Sequence, residues 1–237
     1  MELLETHGGF SCYPWTVTPT EYLMYAHEDI EVESNRSGIN AIGNAKRAIH
    51  SHVDFLLHNC GRCLKKSSFP EKLELLNKLS VISPRILNKY NRLRNVIEHE
   101  YIQPTKEQVD EVIDVAELFV CATKCYTKPL PTSLAFYDFQ TDVQCSISCN
   151  WGDREFQATV ISHRKSRHKE LDGSYMISAS ENEEQWVDWV SRILKATQDA
   201  DDPYIRCIDL DDGGGAYISK NRFTKLHTPP RARTTRG

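Results

Sequence analysis

The chain lacks an apolar run as long as the roughly 20 residues that a membrane-spanning helix needs. Its first residues, MELLETHGGF, also lack the basic start and the apolar core of a secretory signal. We therefore expect a cytoplasmic protein with no membrane partner. Positive charge is not in excess, because 29 lysines and arginines stand against 33 acidic residues and give a formal net charge of −4. That balance excludes binding of nucleic acid through overall charge, so any such contact must be local.

The eight cysteines lack the two matched pairs of a typical structural zinc site. Cys60 and Cys63 follow His58 at a spacing that zinc ligands use. Two further pairs are each four residues apart: Cys121 with Cys125, and Cys145 with Cys149. We predict that the first of these pairs shares a buried helix face and the second a buried strand face, as free thiols in a reducing cytosol. We predict no metal and no cofactor.

Changes in pattern divide the chain into four segments. We predict an N-terminal arm at residues 1–17, an antiparallel helical bundle at 18–128, a small α+β domain at 129–219 and a basic, disordered tail at 220–237. The linker between the bundle and the α+β domain is the proline-marked run KPLP at 128–131. The predicted fold class is therefore α plus α+β, and 237 residues suffice for two such cores.

Helix-start signals and apolar residues at spacings of three and four recur through residues 18–128. The first helix begins after the capping pattern Thr18-Pro19-Thr20-Glu21. The second runs from 39 to 59, the third covers 71–79, the fourth 84–101, and the last begins at 105. We therefore predict an antiparallel bundle for the first half.

The fourth helix, PRILNKYNRLRNVIEHEY at 84–101, has the pattern on which the functional interpretation depends. Ser83 can cap its first free N–H groups, and Pro84 lies where a missing N–H costs nothing. Its core-facing residues recur at helical spacing: Ile86, Tyr90, Leu93 and Ile97.

Polar side chains share one rim of this helix near its C-terminus. Asn95 and His99 are one turn apart, and the guanidinium of Arg94 is near enough to approach the imidazole. Side chains of these types are most often solvated or paired with an acid, here Glu98 or Glu100. Spacing alone does not decide between that ordinary role and a catalytic one.

The order Arg94-Asn95, three residues, His99, one residue, Tyr101 resembles the HEPN superfamily of small helical proteins, whose hallmark is an arginine followed shortly by a histidine. The run at 40–57 is similar to the long second helix of bacterial HEPN domains, so the resemblance covers residues 18–128. It implies a HEPN-like bundle, a metal-independent endoribonuclease, and a homodimer that pairs two motifs. It also implies a toxin or a phage-defence effector.

The resemblance extends to Tyr101. In HEPN toxins paired with nucleotidyltransferases, the motif continues to His-x-Tyr, and the partner silences the toxin by adenylylating that tyrosine. Tyr101 is therefore the candidate modification site, and an antitoxin or nucleotidyltransferase the candidate partner. The added domain after residue 130 departs from those toxins. We interpret this domain as a target reader, a sensor or a restraint on the chain itself.

The motif offers the groups that RNA cleavage without a metal needs: a base, an acid and a charge for the transition state. We predict that His99 is the base or acid, that Arg94 holds the phosphate charge, and that Asn95 orients the imidazole or the phosphate. A second copy across a two-fold axis supplies the missing partners. The expected products carry 2′,3′-cyclic phosphate and 5′-hydroxyl ends.

The pattern becomes strand-like after residue 131 and resembles no particular family. We predict strands at 134–139, 143–149, 156–163 and 175–178, and closing strands at 204–210 and 216–219. A helix is predicted at 181–199, with Trp186 among the residues that face inward. The acids Asp209, Asp211 and Asp212 fit no calcium loop, and the adjacent glycines favour a flexible turn.

Two basic clusters are candidate RNA contacts. They are Arg62, Lys65 and Lys66 after the second helix, and Arg164, Lys165 and Arg167 between two predicted strands. Cations there can hold phosphates without reading sequence. The alternatives are a solvated connector for the first cluster and a solvated hairpin tip for the second.

Two other functions stay open on the sequence. One is a non-catalytic HEPN-like module, in which the helical half dimerises and the α+β half binds a partner. The other is a nucleotide-binding regulator that uses the polar rim without cutting RNA. Substitution of Arg94 or His99 separates them from the enzyme, because only the enzyme loses RNA cleavage.

Overall fold

The computed structural model describes residues 2–7, 9, 16–32, 34, 36–61, 67–82, 103–199 and 224–225 of the 237-residue chain. The chain folds as two compact units. The sheet unit comprises Met1–Gly8, Pro131–Trp186 and Asp199–Gly237, and the helical unit comprises Gly9–Leu130 and Val187–Gln198. The predicted combination of helices and strands is confirmed in the described residues, and the sheet is antiparallel.

The described residues form five α-helices. They are α1 Pro19–Glu31, α2 Ser37–Asn59, α3 Phe69–Lys78, α4 Lys106–Ala122 and α5 Glu183–Asp199. A short 3₁₀ turn, Lys124–Thr127, follows α4. None of the helices in these ranges is both long and apolar enough to span a bilayer.

Capping residues set where three of these helices begin. The Thr18 hydroxyl accepts from the Glu21 amide at 3.2 Å, while the Glu21 carboxylate accepts from the Thr18 amide at 2.7 Å. Ser68 and Glu71 before α3, and Thr105 and Gln108 before α4, form the same reciprocal pair. Each pair satisfies two N–H groups that a helix start leaves unpaired, so these boundaries are local properties of the sequence.

Small and branched apolar side chains form the core of the helical unit, where α2 packs against both α1 and α4. The buried apolar residues of α2 are Ala41, Ile42, Ala45, Ala48, Ile49, Val53, Phe55, Leu56 and Leu57. Those of α4 are Val109, Val112, Ile113, Ala116, Phe119 and Val120. The many alanines on α2 allow close approach of the neighbouring helices, as ridge-and-groove packing requires.

The prediction for the first cysteine pair is wrong, because both Cys121 and Cys125 are exposed. Phe119 and Val120 complete the buried stripe of α4, and a rotation of about 100° per residue carries Cys121 off that stripe. Because α4 ends at Ala122, Cys125 lies in the following 3₁₀ turn rather than on the same helix. The buried strand face predicted for Cys145 and Cys149 is confirmed.

In the described part of the chain, six antiparallel strands form one sheet in the order of the sequence. They are β1 Glu2–His7, β2 Ser133–Asp138, β3 Val143–Asn150, β4 Glu155–Ser162, β5 Gly173–Ser178 and β6 Thr224–Lys225. The strands predicted after residue 131 are confirmed within two residues at each end for β2 to β5. The closing strands predicted at 204–210 and 216–219 lie outside the described residues.

Both ends of the chain differ from expectation. Residues 2–7 of the predicted arm form β1, which pairs with β2, and residues 224–225 of the predicted disordered tail pair with β5. The edges of β2 and β5 offer free backbone N–H and C=O groups, and such edges recruit any extended segment that reaches them. A strand of this kind is specified by its partner rather than by its own pattern.

Aromatic side chains anchor the core of the sheet unit. Phe156 on β4 is fully buried and contacts two tryptophans, with ring centroids 5.3 Å from Trp151 and 5.9 Å from Trp186. The indole of Trp151 donates to the Pro131 carbonyl at 2.8 Å. The Arg154 guanidinium lies 4.7 Å from the centre of the Trp186 ring, which is a cation–π distance.

Candidate nucleic-acid interface

The predicted catalytic residues Arg94, Asn95 and His99 and the predicted modification site Tyr101 lie outside the described residues. The first predicted RNA contact, with Arg62, Lys65 and Lys66, lies outside them as well. The second one, with Arg164, Lys165 and Arg167, is described. We call residues 163–172, which join β4 to β5 and carry these three cations, the basic loop.

Hydrogen bonds fix both ends of the basic loop. The His163 amide donates to the Asp142 carbonyl at 2.8 Å, which continues the β3–β4 ladder by one residue. The Ser162 amide donates to the Asp172 carboxylate at 2.6 Å, and the Ser162 hydroxyl donates to the His168 carbonyl at 2.9 Å. The loop is therefore held in place by its backbone, while the side chains of Arg164, Lys165 and Arg167 are exposed.

Asp142 ties the basic loop to the β2–β3 turn. One carboxylate oxygen accepts the Lys165 amide at 2.8 Å, and the other accepts the hydroxyl of Tyr137. The φ angle of Asp142 is 57°, in the left-handed region that aspartate tolerates better than most residues. This carboxylate thus determines where the loop and the tyrosine lie relative to each other.

The same contacts determine charge at this position. The Tyr137 hydroxyl, the Lys165 amide and then the charges of His163 and Lys165 lower the pKa of Asp142. The hydrogen bond to Asp142, followed by burial and nearby carboxylates, raises the pKa of Tyr137. At neutral pH the carboxylate is therefore charged and the phenol protonated, as this bond requires.

Three rings lie together beside the basic loop. The ring of Tyr137 lies 4.7 Å from that of Phe139 and 5.6 Å from that of His163, between centroids. Phe139 follows β2 in the turn and is 65% exposed. The His163 Nε2 atom is 3.3 Å from the amide oxygen of Gln144 on β3. We call Tyr137, Phe139 and His163 the aromatic cluster.

The outward face of the sheet adjoins the aromatic cluster. The register sets Tyr137, Gln144 and Ile161 in one row across β2, β3 and β4. The next two rows, which also reach β5, are Ala135, Ser146, Thr159 and Ser174, and then Ser133, Ser148, Gln157 and Met176. These rows are exposed or half-buried and carry no charged side chain on these four strands, while on β1 the register pairs Glu2 with Tyr137 and Glu5 with Ala135. The opposite face holds the buried core.

Acids near the basic loop are already bonded. Asp172 accepts the Ser162 amide, and Glu170 lies 3.3 Å from Nδ1 of His168. Arg164 and Arg167 form no side-chain ion pair with a described acid. The arrangement thus offers exposed cations on a fixed backbone, an exposed aromatic ring and adjacent uncharged residues on β2 to β4, which are components of many single-strand binding surfaces.

The helical unit contains a cleft of about 630 Å³. His27 and Glu117 line it, with Nε2 of the histidine 2.7 Å from a carboxylate oxygen of the glutamate. His52 also lines it, but burial lowers the pKa of this histidine to about 4, so it is neutral at physiological pH. The hydroxyl of Thr123 donates to the Phe119 carbonyl at 2.7 Å and must therefore accept from Nε2–H of His52, also at 2.7 Å. His52 is a structural residue here.

Metal ligation is not supported in the described ranges. They contain no group of three or more His, Cys, Asp or Glu side chains that could hold an ion. The pair at Cys60 and Cys63 is only partly described, and burial raises the pKa of the Cys60 thiol to about 12.

Tyr137, Phe139 and Asp142 are not among the site residues that the sequence predicts. Strand alternation carries a signal for Tyr137, because it lies out of phase with the buried Leu134 and Phe136. The strand predicted at 134–139 includes Phe139, whereas β2 ends at Asp138 and leaves that ring in the turn. Asp142 gives no signal beyond a break between strands, since its contact with Lys165 spans 23 residues.

Comparison with known proteins adds no family. No protein-family model matches the chain, and no curated protein and no solved structure matches it.

Proposed function

We propose that this protein is a metal-independent endoribonuclease of the HEPN type, which acts as a homodimer in a toxin or phage-defence system. The observation that carries the proposal is the sequence Arg94-Asn95, three residues, His99, one residue, Tyr101 near the end of a predicted helix. The helical unit supports it, because α1, α2, α3 and α4 lie close to the first, second, third and last helices that the sequence predicts for residues 18–128.

The sheet unit supports the choice of RNA as substrate. Overall charge is negative, so an RNA-cleaving protein of this composition needs a local cationic surface. The basic loop supplies Arg164, Lys165 and Arg167, all exposed and carried on a backbone that Asp142 fixes. Cations of this kind hold phosphates regardless of sequence.

Each motif residue has a role in this proposal. His99 transfers the proton of the 2′-hydroxyl or of the leaving 5′-oxygen, and Arg94 stabilises charge on the phosphate as the P–O bond breaks. Asn95 orients one of these two groups. The 2′-oxygen attacks phosphorus and the 5′-oxygen leaves, so the products are a cyclic phosphate and a hydroxyl. Tyr101 at the rim is the proposed target of a silencing nucleotidyltransferase or another antitoxin.

Incubation of the full-length protein with RNA in EDTA tests the proposal. We expect the wild type to cut, and His99→Ala and Arg94→Ala to lose about 10²-fold or more in rate. His27→Ala, which removes a histidine of α1, is the matched control and should cut as the wild type does. Equal cleavage by the wild type and His99→Ala, or none by either, contradicts the enzymatic proposal.

A second candidate is a non-catalytic RNA-binding protein. It is favoured by the aromatic cluster and basic loop, which form a binding surface without any motif residue. In that case Arg94→Ala and His99→Ala leave RNA binding and cellular activity unchanged, and no RNA is cut in EDTA. The same assay therefore separates the two candidates.

A further inference from the structure

We propose that the sheet unit binds an unpaired RNA strand, with a base stacked on the exposed ring of Phe139 and the adjacent phosphates held by Arg164, Lys165 and Arg167. This inference rests on the proposed function for the choice of RNA. It adds the form of the substrate, which is single-stranded, and the residues that recognise it.

The first argument is the exposure of Phe139. A phenylalanine that is 65% exposed leaves most of its apolar surface in water, which is unfavourable by about 25 cal/mol per Å². Tyr137 meets this ring edge to face, with an interplanar angle of 68°. The contact supports the Phe139 ring from one side and leaves much of it open, as a stacking platform requires.

The second argument is the position of the charges. The Lys165 amide is bonded to the Asp142 carboxylate, which also holds the Tyr137 hydroxyl. Tyr137 in turn contacts Phe139, so a single carboxylate connects the backbone of the basic loop to the rings. A nucleotide presents both a phosphate and a base, so a cationic loop next to an exposed ring favours a nucleic acid over a purely acidic peptide.

The third argument is the sheet face beside the rings. Tyr137, Gln144 and Ile161 form an uncharged, half-exposed row on β2 to β4, and hydroxyl groups continue in the next row at Ser146 and Thr159. Bases splayed from a single strand can lie on such a surface and hydrogen-bond with their edges. Duplex RNA keeps its bases stacked and paired, so it cannot use the rings.

A binding measurement with the full-length chain tests this inference. Fluorescence anisotropy follows a labelled oligouridine of about 12 nucleotides, in EDTA and in the His99→Ala background so that the probe is not consumed. We expect Phe139→Leu to bind at least about fivefold more weakly, and Phe139→Trp to bind as the parent does. Leu118→Ala removes another exposed apolar side chain, on α4, and should change nothing.

The cations are tested by their salt dependence. Arg164→Ala/Lys165→Ala/Arg167→Ala should reduce the slope of log affinity against log salt by about 2, because about 0.7 ions are released per phosphate contact on a single strand. Arg36→Ala/Lys106→Ala/Lys195→Ala removes the same charge from exposed positions elsewhere and should leave the slope unchanged. The triple variant of the basic loop, called the loop variant below, should bind duplex RNA more weakly than the parent does, whereas Phe139→Leu should bind duplex RNA as the parent does.

Three results would overturn the inference: parental binding by Phe139→Leu, equal dependence of duplex and single strand on Phe139, or an unchanged slope in the loop variant. Cleavage is scored separately with His99 intact. If binding depends on Phe139 but no RNA is cut, only the nuclease proposal fails. If RNA is cut but binding does not depend on Phe139, only this inference fails.

Discussion

The two units differ in how far apart along the chain their decisive contacts lie. In the helical unit, Thr18 bonds to Glu21 and Thr105 bonds to Gln108, each pair three residues apart. In the sheet unit, Asp142 holds the Lys165 amide across 23 residues. The ends of helices are therefore specified by residues close in sequence. The surface formed by the basic loop and the aromatic cluster is instead assembled by strand register, and it can be recognised only when the strand pairing is known.

The units also differ in where their titratable and charged side chains lie. The helical unit buries His52 as a neutral ring, with its N–H donated to Thr123. The sheet unit displays Arg164, Lys165 and Arg167 on a loop held by a charged carboxylate. The first arrangement stabilises a fold, and the second leaves charge available to a partner.

The largest effect should come from the aromatic core of the sheet unit. Phe156→Ala removes a fully buried ring between two tryptophans and should lower the free energy of unfolding by about 3–5 kcal/mol. Phe139→Ala is the matched control, because its ring is mostly exposed, and should stay within about 0.5 kcal/mol of the wild type. Urea denaturation measures both. Equal losses would mean that the difference in burial between the two rings does not determine their contribution to stability.

Burial of His52 should make stability depend on pH. Its pKa is about 4 in the folded chain against 6.5 for a free histidine, so the unfolded state takes up a proton first as pH falls. The stabilisation is complete above pH 6.5 and is lost toward pH 4, by about 3 kcal/mol. Thermal melts from pH 7 to pH 4 measure this.

The control for that prediction is His52→Phe, which keeps a ring against Phe119 and leaves the Thr123 hydroxyl bonded to its carbonyl acceptor. This variant should flatten the decline between pH 6.5 and pH 4. An identical decline in His52→Phe and the wild type would show that other groups cause it.

Much of the fold could be predicted from the sequence, because its signals are short. The pattern Thr18-Pro19-Thr20-Glu21 predicted the start of α1, and alternation predicted β3 and β4 within two residues. Trp186 was predicted to face inward on its helix, and it is fully buried. In each case the information lies within one turn or a few alternating residues.

The rest could not be predicted, because it depends on distant partners. The segment 2–7 becomes a strand only when β2 is present to pair with it. The aromatic cluster needs Tyr137 and His163 to meet through the β2–β3–β4 register, far apart in the sequence. The basic loop can be recognised in the sequence as a run of positive charges, but its connection to Phe139 through Asp142 and Tyr137 cannot. The motif with Arg94 and His99 stays a prediction.

The smallest effect should be the loss of a helix cap. Thr18→Ala removes the hydroxyl that accepts the Glu21 amide and should destabilise the chain by about 1 kcal/mol. Thr18→Ser keeps that oxygen and should be close to wild type. A loss in Thr18→Ser as large as that in Thr18→Ala would show that the methyl group, not the cap, matters there. Urea denaturation of the three proteins decides.

The most direct measurement follows binding and cleavage of one labelled single-stranded RNA in EDTA with three proteins: wild type, His99→Ala, and Arg164→Ala/Lys165→Ala/Arg167→Ala. We expect His99→Ala to bind as the wild type does without cutting. The loop variant should bind more weakly but cut at the wild-type rate when the protein saturates the RNA. Cleavage by His99→Ala at the wild-type rate, or unchanged binding by the loop variant, would contradict the claim that the motif cuts RNA held by the sheet unit.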